Sequence, residues 1–131
     1  MEVRNVTKER FETRKLEKLA DRILLKEKKG KSNLSLLFAG EALMKKLSVQ
    51  WLKKEHASNV LAFEGGHLSL GEIVLCPSVI RKDAKEYGIT YKDAVRLMFV
   101  HGLLHLVGYD HDTFGKEKAM KRKEQEYMKL A

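Results

Sequence analysis

Fourteen residues, AVRLMFVHGLLHLV at positions 94–107, constrain this chain more than any other stretch. They are too apolar to sit in water and, interrupted by two histidines, fall far short of the ~20 apolar residues that a bilayer span needs. The run therefore reads as a helix buried inside a folded domain. Thr90, with Asp93 three residues on, marks its start as a capping box in which Asp takes the place of Glu. Gly108 marks its end. Within the run, His101 and His105 lie four residues apart and project from one face, about a turn or roughly 6 Å from each other.

The rest of the chain supplies a sheet for that helix to pack on. Between residues 7 and 28 the apolar side chains Phe11, Leu16, Leu19, Ile23 and Leu24 recur at helical spacing, and Gly30 follows as a stop. The segment NLSLLFA (residues 33–39) is too short and too apolar for a helix and reads as a buried strand. Leu43, Leu47 and Trp51 recur every four residues, which predicts a second helix with that stripe against the sheet. VLAF (residues 60–63) and LSLGEIVLC (residues 68–76) flank EGGH, a hairpin pattern in which Gly65 and Gly66 supply positive φ angles. Pro77 opens a third helix that runs to Tyr87 and is stopped by Gly88. The expectation is an α+β fold in one domain over residues 1–131: a small mixed sheet packed with helices, and the histidine pair on the fourth helix. At 131 residues and 44% hydrophobic composition, such a domain buries a core without staples.

The formal charge of +8 is unevenly spread. Residues 32–112 carry nine basic and nine acidic groups; residues 1–31 carry eleven against six, and residues 113–131 six against three. Basic ends of this kind attract a polyanion by displacing its counterions, and they equally describe solvated helix faces. Charge therefore permits RNA as a partner without requiring it. The lone cysteine, Cys76, allows no internal disulfide and no cysteine-based metal site, and it reads as a small buried residue. The first fifteen residues alternate charges with no apolar run, so neither a leader nor a membrane anchor is expected there, and the cytoplasm is the expected compartment.

The chemistry lies in the spacing His101-x3-His105-x5-His111. Nitrogen-to-zinc bonds are about 2.0–2.1 Å, so two ligands on one helix must point nearly alike, and a four-residue interval provides that. The break at Gly108 lets the chain turn back and bring His111 in from another direction. Three neutral nitrogens leave a fourth position for water, the arrangement of a catalytic rather than a structural zinc. Asp110 and Asp112 flank His111; Asp110 is the candidate to orient an imidazole or handle a proton, although aspartates there also form turns. His56 and His67 have no such pattern and read as ordinary side chains. Metzincin-type metalloproteases share the histidine and glycine spacing, but carry Glu directly after the first His as acid–base catalyst. This chain has Gly102 there, which counts against a peptidase.

The residues HGLLHLVGYDH (101–111) closely resemble the signature of the YbeY family of bacterial ribosomal RNA maturation factors. VLAF (residues 60–63) resembles the family's Val-Leu-Ser-Phe strand, and LGEI (residues 70–73) its Leu-Gly-Asp-Ile strand; much of residues 33–127 can be followed this way. The resemblance implies a single-domain α+β fold, a zinc or other divalent transition metal on His101, His105 and His111, and single-strand-specific endoribonuclease activity. It further implies ribosomal RNA and the ribosome as partners in maturation and quality control. One position departs from the family: Leu52 stands where an arginine thought to meet the RNA phosphates is usual. Lys53, Lys54 and Arg81 are candidate substitutes, although lysine lacks the bidentate fork of a guanidinium. Two further readings stay open: a zinc peptidase, and a non-catalytic ribosome-assembly factor that uses its metal only to fix the last turn.

Overall fold

The computed structural model describes residues 1–30, 33–67 and 69–131. Its elements, in chain order, are β1 (Glu2–Asn5), α1 (Thr13–Lys26), β2 (Asn33–Phe38), α2 (Glu41–Leu52), β3 (Val60–Glu64), β4 (Ser69–Leu75), α3 (Pro77–Tyr87), α4 (Tyr91–Leu106) and α5 (Phe114–Met128). The strands form one sheet in the order β1-β2-β4-β3. β1, β2 and β4 are parallel, and β3 closes the edge antiparallel to β4. Parallel neighbours need crossover connections, and α1 supplies the one between β1 and β2.

Side chains alternate across the sheet with a period of two, and this sorts the core into two layers. Leu34, Leu36 and Phe38 of β2, with Ile73 and Leu75 of β4, join buried residues of α1, α3, α4 and α5 on one face. Leu37, Val74 and Cys76 join Met44 of α2 and Leu61 on the other. Cys76 is fully buried and free. Helix α4 touches α1, α3, α5, β3 and β4 and is the centre of the larger layer. Gly102 sets how close α4 lies to the sheet: a Cβ there would meet Ile73 Cγ2 at 3.0 Å and Val60 Cγ2 at 3.3 Å. Among the described residues no helix is long and apolar enough to cross a membrane.

Several elements depart from the sequence reading, each for a physical reason. The first helix begins at Thr13 rather than near residue 7, because Asn5 ties residues 5–9 into a turn: its Oδ1 accepts from the Thr7 amide (2.9 Å) and its Nδ2 donates to the Glu9 carbonyl (2.7 Å). Phe11 consequently lies ahead of the helix, with its ring stacked on Phe38. The four residues of β1, unread in the sequence, pair in register with residues 35–38 of β2. The face of α2 is also rotated by about one residue. Met44 and Ser48 are buried, whereas Leu43 and Trp51 of the expected stripe are exposed. Ser48 is tolerated inside because its Oγ accepts from the Ser58 amide and bonds the Ser58 hydroxyl, both at 3.1 Å.

The hairpin is present, but Gly65 and Gly66 do not take positive φ. The positive angle is at Gly71 (φ 147°), where a Cβ would strike the Phe63 carbonyl and where the β2–β4 register shifts. The expected strand start at residue 68 lies outside the described residues. The last element, α5, went unread; Thr113 caps it by accepting from the Lys116 amide at 3.2 Å. The Thr90 cap of α4 is as expected, accepting from the Asp93 amide at 3.1 Å. Gly102→Val should force α4 off the sheet and lower stability by about 1–3 kcal/mol, read as a fall in the urea midpoint at constant m value.

Candidate metal centre

His101 and His105 project from the last two turns of α4, and the chain reverses immediately beyond them. The Tyr109 amide donates to the Leu104 carbonyl (3.0 Å) and the Gly108 amide to the His105 carbonyl (3.2 Å), with Gly108 at φ 110°. Asp110 then tightens the return, its Oδ1 accepting from the His111 amide at 2.7 Å. The three rings converge, with centroids 5.5 Å (101–105), 5.9 Å (101–111) and 5.1 Å (105–111) apart. One nitrogen from each lies within 4.8 Å of the others, so a central point sits at most about 2.8 Å from each. Small rotamer changes shorten that to the about 2.0–2.1 Å of a zinc–imidazole bond, so the residues fit a metal ion.

Two carboxylates behind the cluster hold it in place. Glu124 of α5, only 15% exposed, lies with Oε1 3.0 Å from His101 Nδ1. A hydrogen bond donated from Nδ1 leaves Nε2 free to face the cluster, the usual arrangement behind a metal-binding histidine. Glu27, at the end of α1, accepts from the Tyr109 hydroxyl at 2.9 Å and from the Tyr127 hydroxyl, and lies 3.4 Å from Lys123 Nζ. It thereby ties the loop carrying His111 to α1 and α5. Burial pushes the Glu27 carboxyl up, but the bonds from Tyr127 and Tyr109 and the charge of Lys123 outweigh it and hold the group below its usual range. Burial, then the neighbouring His101 and His111, lowers the pKa of His105 and favours the neutral form that binds metals.

The family model described as endoribonuclease YbeY matches residues 2–131. The chain belongs to the YbeY family. An endoribonuclease YbeY from Bdellovibrio bacteriovorus is 40% identical over 91 residues, covering 69% of this chain and 61% of that protein. Another from Bartonella bacilliformis is 38% identical over 105 residues, covering 74% and 66%. The matched region thus spans less than two thirds of either relative. A Thermotoga maritima protein of known solution structure superposes with a TM-score of 0.64 at 28% identity, over 96% of this chain and 86% of that one.

In this YbeY-family chain the histidines border a cleft of about 650 Å³ whose walls include Leu52, Lys54, His56 and Phe63. Leu52, expected from the sequence at the place of the family's arginine, is 46% exposed. Of the three candidate substitutes only Lys54 borders the cleft. Lys53 is the exposed left-handed cap of α2 and is absent from the walls. Arg81 is not in the cleft at all: its guanidinium pairs with Glu9 and lies 4.2 Å over the Tyr91 ring. Asp110 is likewise absent from the walls; its Oδ1 serves the turn and lies 3.9 Å from His111 Nδ1. His67 stays exposed outside the cleft, whereas His56, read as ordinary, lines it. Nothing in the sequence singled out His56. Glu124 did leave a signal, as a carboxylate between Met120 and Tyr127, the two buried residues of α5.

Glu124→Gln should weaken metal binding about ten- to hundredfold with little change in thermal stability, measured by competition with a chromophoric chelator. The Glu27 network gives a pH signature. A carboxyl whose folded pKa is depressed stabilises the fold above its unfolded value, about 4.3, and that contribution is lost as pH falls through the folded value. Urea midpoints of the parent and Glu27→Gln should therefore differ at pH 7 and converge towards pH 3.

Proposed function

We propose that this chain is a zinc-dependent endoribonuclease that cuts single-stranded RNA in ribosomal RNA maturation, with His101, His105 and His111 as its metal ligands. The observation that carries this reading is the openness of the cluster. Three imidazoles converge at the wall of a cleft, and among the described residues no fourth His, Cys, Asp or Glu joins them. A structural zinc is closed by a fourth protein ligand, whereas a catalytic one keeps a position free. Neutral imidazoles suit zinc over magnesium or calcium, which prefer oxygen donors. When bound, the ion supplies a Lewis acid that polarises a phosphoryl oxygen and acidifies water at the site.

The chain's own residues supply orientation. Glu124 fixes the His101 ring, and Asp110 and Tyr109 fix the loop of His111. Lys54 offers a point charge to a phosphate at the cleft wall. Phe63 lines the same wall, and Trp51, 60% exposed, stands edge-on to it at 5.8 Å between centroids. Aromatic faces of this kind stack on unpaired bases, which favours single strands. A peptidase is less well served. Asp83 is the only carboxylate on the cleft walls among the described residues, and its Oδ2 already accepts from Asn59 at 2.9 Å. We place the reaction in the cytoplasm, on ribosomal RNA with the ribosome as partner, from membership of the family.

The test is cleavage of an unstructured RNA by the zinc-loaded chain beside His105→Ala prepared identically. Cutting by the parent that disappears with a chelator, returns with zinc and is absent from the variant is the expected result. RNA binding without cutting by a fully loaded parent would instead indicate an assembly factor. Trp51→Ala should raise KM for the same RNA by about ten- to hundredfold, the equivalent of roughly 1–3 kcal/mol of stacking, with a smaller change in kcat.

A further inference from the structure

The cations of this chain differ in how they are satisfied. On α5, Lys116, Lys121 and Lys123 each lie within 3.5 Å of a carboxylate oxygen. A different situation holds between α1 and α4. Two hollows there, of about 230 and 190 Å³, share Lys15, Leu16 and Arg96 and so lie side by side, together making a shallow groove. Its walls carry Arg10, Lys15, Lys18, Arg22, Lys92 and Arg96 over an apolar floor that includes Leu16 and Val95.

Against six cations the walls set one acidic side chain, Glu12 at 3.1 Å from Lys15, together with the last residue, Ala131, while Asp93 lies outside them at 3.8 Å from Arg96. Glu12 is held below its usual range by Lys15 first, then by Lys92 and Arg96, as expected of one acid among several bases. Arg10, Lys18 and Lys92 have no side-chain hydrogen bond or ion pair among the described residues. Arg96 is more telling. Its side chain is only 20% exposed, yet it makes no hydrogen bond among the described residues. No buried side-chain nitrogen or oxygen among them lacks a partner, so its unbonded nitrogens keep contact with solvent, and Arg96 lines both hollows. A guanidinium anchored by its stem, with a loose ion pair to Asp93 and no hydrogen bond, is suited to bidentate contact with phosphate.

We propose that the groove between α1 and α4 is a second nucleic-acid contact site, which grips the phosphate backbone of an RNA away from the strand being cut. Its link to catalysis rests on the function proposed above; the binding itself does not. Arg96 precedes His101 by five residues, about 7.5 Å along α4 and about 140° around it, so groove and cleft open on different faces. One short strand does not occupy both, whereas a folded RNA does, with its cut strand in the cleft and a flanking segment in the groove. The concave shape favours a nucleic-acid backbone over a flat anionic membrane. The site also gives a role to the excess positive charge of residues 1–31.

The test compares the parent with an Arg10→Ala/Lys18→Ala/Lys92→Ala variant, three positions outside the cleft. A Lys116→Ala/Lys118→Ala/Lys121→Ala variant controls for net charge. Binding of a labelled hairpin RNA with a single-stranded flank is measured by anisotropy between about 50 and 200 mM salt. Cleavage of an unstructured pentanucleotide is measured alongside. The groove variant should bind the hairpin RNA at least tenfold more weakly, with a log–log salt slope shallower by about 2, at about 0.7 for each phosphate no longer neutralised. Its pentanucleotide cleavage should be unchanged, and the control variant should bind nearly as tightly as the parent. Equal weakening in the two variants, an unaltered slope, or an effect confined to phosphatidylserine vesicles would each overturn the groove. Absence of cleavage by the parent would sink the nuclease reading alone, because the hairpin-binding comparison still decides the groove.

Discussion

Everything in this molecule hangs on burying the apolar side of α4 while leaving open the stripe that carries its histidines. Phe99, Val100, Leu103 and Leu104 are fully buried, and burial of each such side chain contributes about 1.5–3 kcal/mol. These contacts fix the helix against β3, β4, α3 and α5 and leave it no freedom to rotate. The stripe that remains half-open carries His101 and His105. Two imidazoles therefore gain fixed directions from packing that does not involve them, which is how a small domain keeps a polar site rigid. Gly102, between them in sequence, faces the sheet and lets the helix come close enough for this to hold.

The third histidine needs a different device, because it lies on a loop and is 56% exposed. The loop is held at several points: hydrogen bonds at the end of α4, the Asp110 turn, and Tyr109 bonded to Glu27. Glu27 also receives Tyr127, so one partly buried carboxylate links the end of α1, the loop and α5. α5 in turn brings Glu124 to the back of His101. Elements distant in sequence thus meet behind a cluster confined to residues 101–111, and the metal centre inherits its order from them.

Much of this was legible in the chain before folding. The histidine spacing, the Thr90 cap, the Gly108 break, the third helix from Pro77 to Tyr87 and the central strands each carry local chemistry that operates within a few residues. The misread features depend on distant partners. The orientation of α2 followed Ser48 rather than its leucine stripe, because Ser58 satisfies the hydroxyl from ten residues away. The start of α1 moved because Asn5 captured the preceding residues in a turn. β1 is four residues long and has a pattern only once β2 lies beside it. α5 buries fully only Met120 and Tyr127, too few for a visible period.

The sequence by itself determined which three histidines converge, because the interval between two histidines on a helix and the glycine after them fix directions through local geometry alone. It likewise determined the α+β class, through runs of apolar residues whose periods differ. Tertiary structure alone decided which charges serve the site. Arg81 was drawn off by Glu9 and Tyr91, Lys54 and His56 were brought to the cleft, and Glu124 was delivered from α5. The physical reason is range: helix phase and capping act over a few residues, whereas a charge's role depends on which other charges, from anywhere in the chain, lie within a few ångströms of it.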